Sequence, residues 1–597
     1  MKRSNSASRY LLLALAIFAI FILLTAFQVN YFFEDGAYGK FTLSALHDGD
    51  FNIIKQDPAS EQSRNWLVSK TGYSPSFEHP AVSGYLAPFY LYQIGLDKLA
   101  GESSEIFNSR FMPVHILSTI FFTALGLLVL AKLLDAFGFY NRALAVALVA
   151  TSTPFLYYFA FCSTNVDIFA NSYAILALSV YWNLRSEKEI RPTQLIALGA
   201  IAGFGLAIRI HLFWISILYT FFIWNFPHKG QNFSWILMGA VLPAGFVEMN
   251  NFMITEQILP PLQVYLEGYD LGDFLVSSAQ YNLFGPNGTL PVSPVFVGIG
   301  AGLGAALSHR KKIGWILFAI AISALPFYFR MYTTWVISDE LNTRHLVDFF
   351  FASVIFLCAL MDWTMKQKWQ TQFAIWFFLA LCPIWHGVVT MCFFYVSESQ
   401  SWNWQYEYGY KIDGIIQALT YLGDRFNTNS ISAAVKNSFH YLPLIFGISF
   451  LLMKVHENGL RKLHTGILFF FASGLTIFGV FSVSNRLLGP ANVEKLRAQN
   501  FYAGKTTATD QHVFLFDDYE EEMKKTAYWY IKNGDCESVN KLIKINSQFL
   551  TKVKDATAGR AAVLQRMISE QKFPQSALDN PQFATVFQQQ FAKVCEH

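Results

Sequence analysis

"LLLALAIFAIFILLTAFQVNYFFEDGAYGK", residues 11–40, decides the class of this protein. An apolar run over 11–27 gives way to Tyr31, Phe32 and Phe33, and then to two adjacent carboxylates, Glu34 and Asp35. A helix that crosses a bilayer needs about 20 mainly apolar residues, and aromatic rings collect where it meets water. The run is longer than the apolar core of a cleaved leader and no small-x-small site follows it, so it reads as a retained first span. The two acids then stand within a turn or so of the hydrocarbon edge.

The rest of the chain has the same character. Of its 597 residues, 53% are hydrophobic, 17% aromatic and only 14% charged, where soluble domains carry about 25% charge. No basic patch or motif points to nucleic acid. The six cysteines show neither CxxC nor metal-ligand spacing. Apolar segments at 10–31, 111–131, 143–161, 167–184, 193–208, 211–225, 233–252, 291–308, 313–329, 345–361, 370–396, 440–453 and 467–484 predict an all-α polytopic membrane protein of about 13 transmembrane helices. The two spans flanking Arg209 are short and read either as a tight hairpin or as one irregular segment.

Lysine and arginine set the orientation. With Lys2, Arg3 and Arg9 on the cytoplasmic side, alternation brings Lys132, Arg142, Arg185, Lys188, Arg191, Lys229, Arg310, Lys311, Lys312, Lys366, Lys368, Lys454, Arg461 and Lys462 to that side as well. Most loop acids fall on the other. This predicts large outer loops, the first over 32–110, with an amphipathic segment at 81–101 lying along the membrane surface. Residues 1–489 form the transmembrane domain, and 490–597 a small, mainly helical outer domain. A disulfide between Cys536 and Cys595 is one reading of that domain, two unpaired thiols the other. Gly298/Gly302 and Gly300/Gly304 read as helix-packing pairs rather than a nucleotide loop.

Several groups at the outer mouths carry chemical potential. Partial desolvation at the membrane edge raises the basicity of Glu34 and Asp35, although solvated loop acids look the same in sequence. Glu78-His79-Pro80 precedes the amphipathic segment, and His79 suits an anion or a proton. Arg209, followed by His211, lies between two apolar runs; such an arginine faces a cavity or head group, or snorkels to the interface. Asn287 sits in the turn Gly285-Pro286-Asn287-Gly288. Arg344 and His345 stand at the mouth of another span, after Asp339 and Glu340, and a guanidinium fork suits a phosphate. His47, Asp48 and Asp50 lie more than three helical turns beyond Asp35 and read as the polar end of a surface helix.

In order and sidedness, "EDGAYGKFTLSALHDGDF" (34–51), "FEHPAVSGYLAPFY" (77–90), "GFGLAIRI" (203–210), "YNLFGPNGTLPVSPVFVG" (281–298) and "WVISDELNTRHLVDFF" (335–350) resemble the GT-C superfamily of integral-membrane glycosyltransferases. The likeness is to its bacterial aminoarabinose transferase and protein mannosyltransferase branch. It covers about residues 9–360. His79 takes the basic position of the second motif, where Ala81 replaces a proline, and Ile210 replaces the proline that usually follows the hairpin arginine.

The resemblance implies a GT-C-like protein of the bacterial inner (cytoplasmic) membrane, with its N-terminus cytoplasmic and its C-terminus periplasmic. It implies inverting transfer of a sugar from a polyprenyl-phosphate-sugar donor to a periplasmic acceptor: lipid, polysaccharide or protein. Asp35, with Glu34 beside it, would be the base. Arg209, Arg344, His79 and His345 would hold donor phosphate, and Glu78, Tyr38, Asn287, Asp339 and Glu340 would line the substrate. A divalent metal is an open possibility, since some members use one and others do not. Two other classes fit the composition: a secondary transporter or lipid flippase, and a non-catalytic membrane assembly subunit. Spans nearly free of charge, the lack of an internal repeat and charges gathered at the outer mouths favour surface chemistry over transport.

Overall fold

The computed structural model describes residues 4–27, 37–51, 53, 80–104, 107–160, 166–209, 212–255, 289–309, 316, 349–399, 416, 419–420 and 428–498. Every regular element among them is helical. The opening apolar run lies in α1 (Ser4–Phe27), which packs on α4 (Met112–Phe137), α15 (Thr428–Ser438) and α16 (Leu442–Glu457). Described helices overlie each of the apolar segments read from sequence except 313–329, of which only Ile316 is described.

Among the described residues, six helical stretches are long and apolar enough to cross a membrane: Ser8–Ala26, Ser109–Phe137, Lys229–Asn250, Trp369–Met391, Ile431–Glu457 and Leu460–Leu488. Shorter apolar helices fill in between them. These are α5 (Arg142–Ser152), α8 (Pro192–Ile208), α9 (Phe213–Ile223), α12 (Val295–His309) and α13 (Phe350–Thr364). The last described helix, α17 (Leu460–Ala498), runs through residue 490, where the sequence reading ends the bundle. The expected outer domain beyond it, with Cys536 and Cys595, lies outside the described residues. Cys358 and Cys382 are free, buried thiols.

The first outer loop contributes two helices to the core. α2 (Ala37–His47) packs on α3 (Ser83–Ala100), and α3 in turn packs on α4 and α17. Tyr85 of α3 stacks on Phe470 of α17 with ring centroids 4.5 Å apart, and meets Phe169 of α7 (Val166–Leu184) at 5.3 Å and Phe204 of α8 at 5.7 Å. The segment expected along the membrane surface is therefore wedged into the bundle. Its aromatic rings each remove a large apolar area from solvent, which outweighs the modest polarity of its other face.

Two close approaches fix neighbouring helices. Gly199 of α8 lies against the Ile236 carbonyl of α10 (Lys229–Thr255), and Gly239 of α10 lies against the Ile196 carbonyl of α8, a reciprocal contact that only residues without a side chain permit. Gly302 of α12 sits on the Phe356 carbonyl of α13, and Gly298 faces Leu379 of α14 (Trp369–Ser399). The second pair read as packing, Gly300 and Gly304, meets nothing within 4 Å among the described residues, so it does not serve as a helix contact there.

A buried polar clasp ties α2 to the far side of the bundle. The Phe51 amide donates to Asn485 Oδ1 (2.9 Å), Asn485 Nδ2 donates to Asn250 Oδ1 (2.6 Å), and Asn250 Nδ2 donates to Ser482 Oγ (2.8 Å). Ser44 donates to Asp50 at 2.7 Å, closing the turn after α2. Asp50 is only 2% exposed, so it is an internal acceptor of that turn rather than the polar end of a surface helix. His47 bonds Ser104 across the same corner, at 3.1 Å.

Candidate functional site

The described part of the expected site centres on Arg209. α8 stops at Ile208, Arg209 is extended (φ −154°, ψ 131°), and α9 restarts at Phe213 and packs back on α8. The short spans around Arg209 are thus two helices folded against each other. No proline or glycine causes the break; "AIRIHLF" would continue as helix on propensity alone. A tertiary partner holds Arg209 at the break: the Asp167 carboxylate lies 2.5 Å from its guanidinium.

Asp167 occupies the first turn of α7, where the unsatisfied amides of a helix N-terminus favour a carboxylate. Its side chain is fully buried, whereas that of Arg209 keeps 18% exposure. The guanidinium is therefore the member of the pair that a ligand can still reach. A buried charge of either sign is costly when alone, so each residue holds the other in place.

One turn along α7, Asn171 accepts a hydrogen bond from the Phe351 amide at 3.2 Å, at the start of α13. Trp214 of α9 packs on Phe351 (5.2 Å), and Phe155 of α6 (Phe155–Ala160) stacks on Phe350 (4.2 Å). The beginnings of α7, α9 and α13 and the end of α8 thus converge in one polar corner. The 3-10 turn Pro80–Val82 packs on α8 as well and is entirely buried.

Of the residues read from sequence, Arg209 is in this corner. Pro80, directly after Glu78-His79, packs on α8. Phe349 and Phe350, a few residues after Arg344-His345, open α13 beside it. Glu34, Asp35, Glu78, His79, Asn287, Asp339, Glu340, Arg344 and His345 lie outside the described residues. Tyr38 is placed in the apolar core, 2% exposed, with its carbonyl accepting from Thr42.

Asp167 and Asn171 are the additions. Their signal was present: an acid at the mouth of an otherwise uncharged span, with an amide one turn later in "VDIFANSY" (166–173). Among the described residues no three His, Cys, Asp or Glu side chains come together as a metal-binding group. No protein-family model matches the chain, and neither a curated protein nor a solved structure does.

Proposed function

We propose that this protein is a GT-C-like membrane glycosyltransferase that moves a sugar from a polyprenyl-phosphate donor to an acceptor on the periplasmic face of a bacterial inner membrane. The observation that carries the reading is Arg209, presented by a helix break and braced by the buried Asp167. A guanidinium held in place by a carboxylate is a pre-positioned charge for a phosphate.

In the reaction, an acceptor hydroxyl attacks the anomeric carbon while the bond from that carbon to the phosphate oxygen breaks. Asp35 takes the hydroxyl proton, with Glu34 beside it. The leaving polyprenyl phosphate keeps the electron pair, and Arg209 and Arg344 neutralise its charge. Asp167 touches no reacting atom in this scheme; it positions Arg209. His79, His345 and the acids at 339–340 complete the pocket in the family pattern.

The test is intact-lipid mass spectrometry of cells with and without the protein. Accumulation of one polyprenyl-phosphate-sugar with loss of one glycan decoration is expected. The same result is expected with Asp35→Asn at unchanged abundance, and full activity in that variant refutes the base assignment.

A second reading has one observation in its favour. An ion pair at interrupted helices also suits a secondary transporter. Unchanged lipids and glycans together with altered solute uptake would replace the enzymatic reading with this one.

A further inference from the structure

A second buried polar cluster lies between α14 and the start of α12. His386 of α14 is fully buried. Its Nδ1 lies 2.9 Å from the Val292 carbonyl of α11 (Thr289–Val292) and 3.2 Å from Ser293 Oγ. Trp385 donates to the Pro291 carbonyl at 2.6 Å. Further along, Gly298 faces Leu379, so the two strands of contact run antiparallel. Thr289 lies one turn before Ser293, whose amide donates to its carbonyl at 2.9 Å, and Thr390 lies one turn after His386 in α14.

Many buried hydroxyls in the described helices bond a carbonyl one turn back, as Thr42 does to Tyr38, Ser172 to Ile168, Thr364 to Leu360, Ser438 to Ala434 and Ser449 to Ile445, while a smaller set, Ser83, Thr123 and Ser152 among them, does not. Thr289 and Thr390 are 4% and 5% exposed, yet their hydroxyls have no hydrogen-bond partner among the described residues. A buried hydroxyl left unbonded costs about 1–3 kcal/mol, so such groups are retained where something else bonds them.

Ser293 is available in the same sense. A carbonyl can only accept, so Nδ1 of His386 carries its proton toward Val292. Ser293 Oγ receives a share of that proton and keeps its own hydrogen to donate. Among the described residues, the cluster thus offers three hydroxyls beside an imidazole and no carboxylate or cation. A charged ligand would be left uncompensated there; a neutral polyol would exchange hydrogen bonds at every hydroxyl.

The cluster also adjoins the Arg209 corner. α14 packs on α5, and the chain leaving α5 reaches Phe155, stacked on Phe350 at the start of α13. The same start of α13 is held by Asn171, one turn from Asp167. We infer that Thr289, Ser293 and Thr390, with His386 orienting Ser293, form the subsite that takes the hydroxyls of a neutral sugar whose phosphate is held at Arg209. This rests on the glycosyltransferase reading.

The experiment measures binding to the purified full chain in nanodiscs. The probes are undecaprenyl phosphate and the same lipid carrying glucose, galactose or mannose, compared for wild type, Thr289→Val, Ser293→Ala and Thr390→Val. The valine variants keep shape and lose only a hydroxyl. They are expected to melt no lower than wild type without lipid, to bind undecaprenyl phosphate unchanged, and to lose about tenfold in affinity for the preferred sugar-bearing lipid.

A lower melting temperature in both valine variants would mean that their hydroxyls are already bonded, and would overturn the subsite. So would a sugar preference that survives all three variants, with the glycosyltransferase reading left standing. If wild type binds neither kind of lipid, the glycosyltransferase reading falls and the subsite with it.

Discussion

The Asp167–Arg209 pair makes the sharpest test of how this corner works. The two groups are 2.5 Å apart, one fully buried and one 18% exposed. Removing one member of a buried pair typically costs about 3–5 kcal/mol, because the survivor is left desolvated without its countercharge. The residual exposure of Arg209 relieves part of that strain, so Asp167→Asn is expected near the lower end, about 3 kcal/mol. Arg209→Gln, which takes the guanidinium from the fully buried carboxylate, is expected near the upper end. In the double variant neither charge remains, and the loss should fall short of the sum by about 2 kcal/mol or more. Unfolding of the four proteins in mixed micelles closes the cycle. Additivity within about 0.5 kcal/mol would refute the claim that the two residues hold one another. Function gives an independent reading: Asp167→Asn should weaken binding of undecaprenyl phosphate while the Arg209 charge is still present, which a purely local packing role would not do.

Other expectations follow from the packing. Gly199→Leu or Gly239→Leu pushes a side chain into a facing backbone carbonyl and should cost at least about 2 kcal/mol, read as a fall in melting temperature and in monodisperse yield, whereas Gly300→Leu, with nothing within 4 Å among the described residues, should stay within about 0.5 kcal/mol. Asn485→Ala removes the acceptor of the Phe51 amide and the donor to Asn250; a loss of about 1–3 kcal/mol is expected, with faster amide exchange at Phe51 as the local signature. Tyr85 has no hydrogen-bond partner for its hydroxyl among the described residues, so Tyr85→Phe should be neutral or stabilising, while Tyr85→Ala, which vacates a site walled by four rings, should cost about 3–5 kcal/mol in the same unfolding assay.

Much of the helical layout was legible because it depends on runs of apolar residues, which survive without tertiary knowledge. The segments at 111–131 and 370–396 lie within helices that are long and apolar enough to span a membrane. The first outer loop was harder. Its 81–101 segment has the composition of a surface helix, and only the rings supplied by α4, α7, α8 and α17 make Tyr85 an interior residue. Asp50 misled for the same reason: its partner, Ser44, is six residues back, across a turn whose closure cannot be read from periodicity. At the site, Arg209 stood out as a cation between apolar runs, but the helix break itself was only one of two readings, since local propensity favours continuity there. Asp167 escaped notice because an acid at the first turn of a span looks like ordinary capping until its partner is seen.

The Phe51–Asn485–Asn250 clasp has a consequence for the order in which this chain is completed. Phe51 and Asn485 stand 434 positions apart in sequence. The buried amide of Phe51 has no acceptor until α17 has been made, so the corner after α2 is finished only when nearly all the described helices exist. A chain made from its N-terminus closes this corner from the far end of its sequence, and a truncation before α17 leaves the start of the first outer loop without its latch.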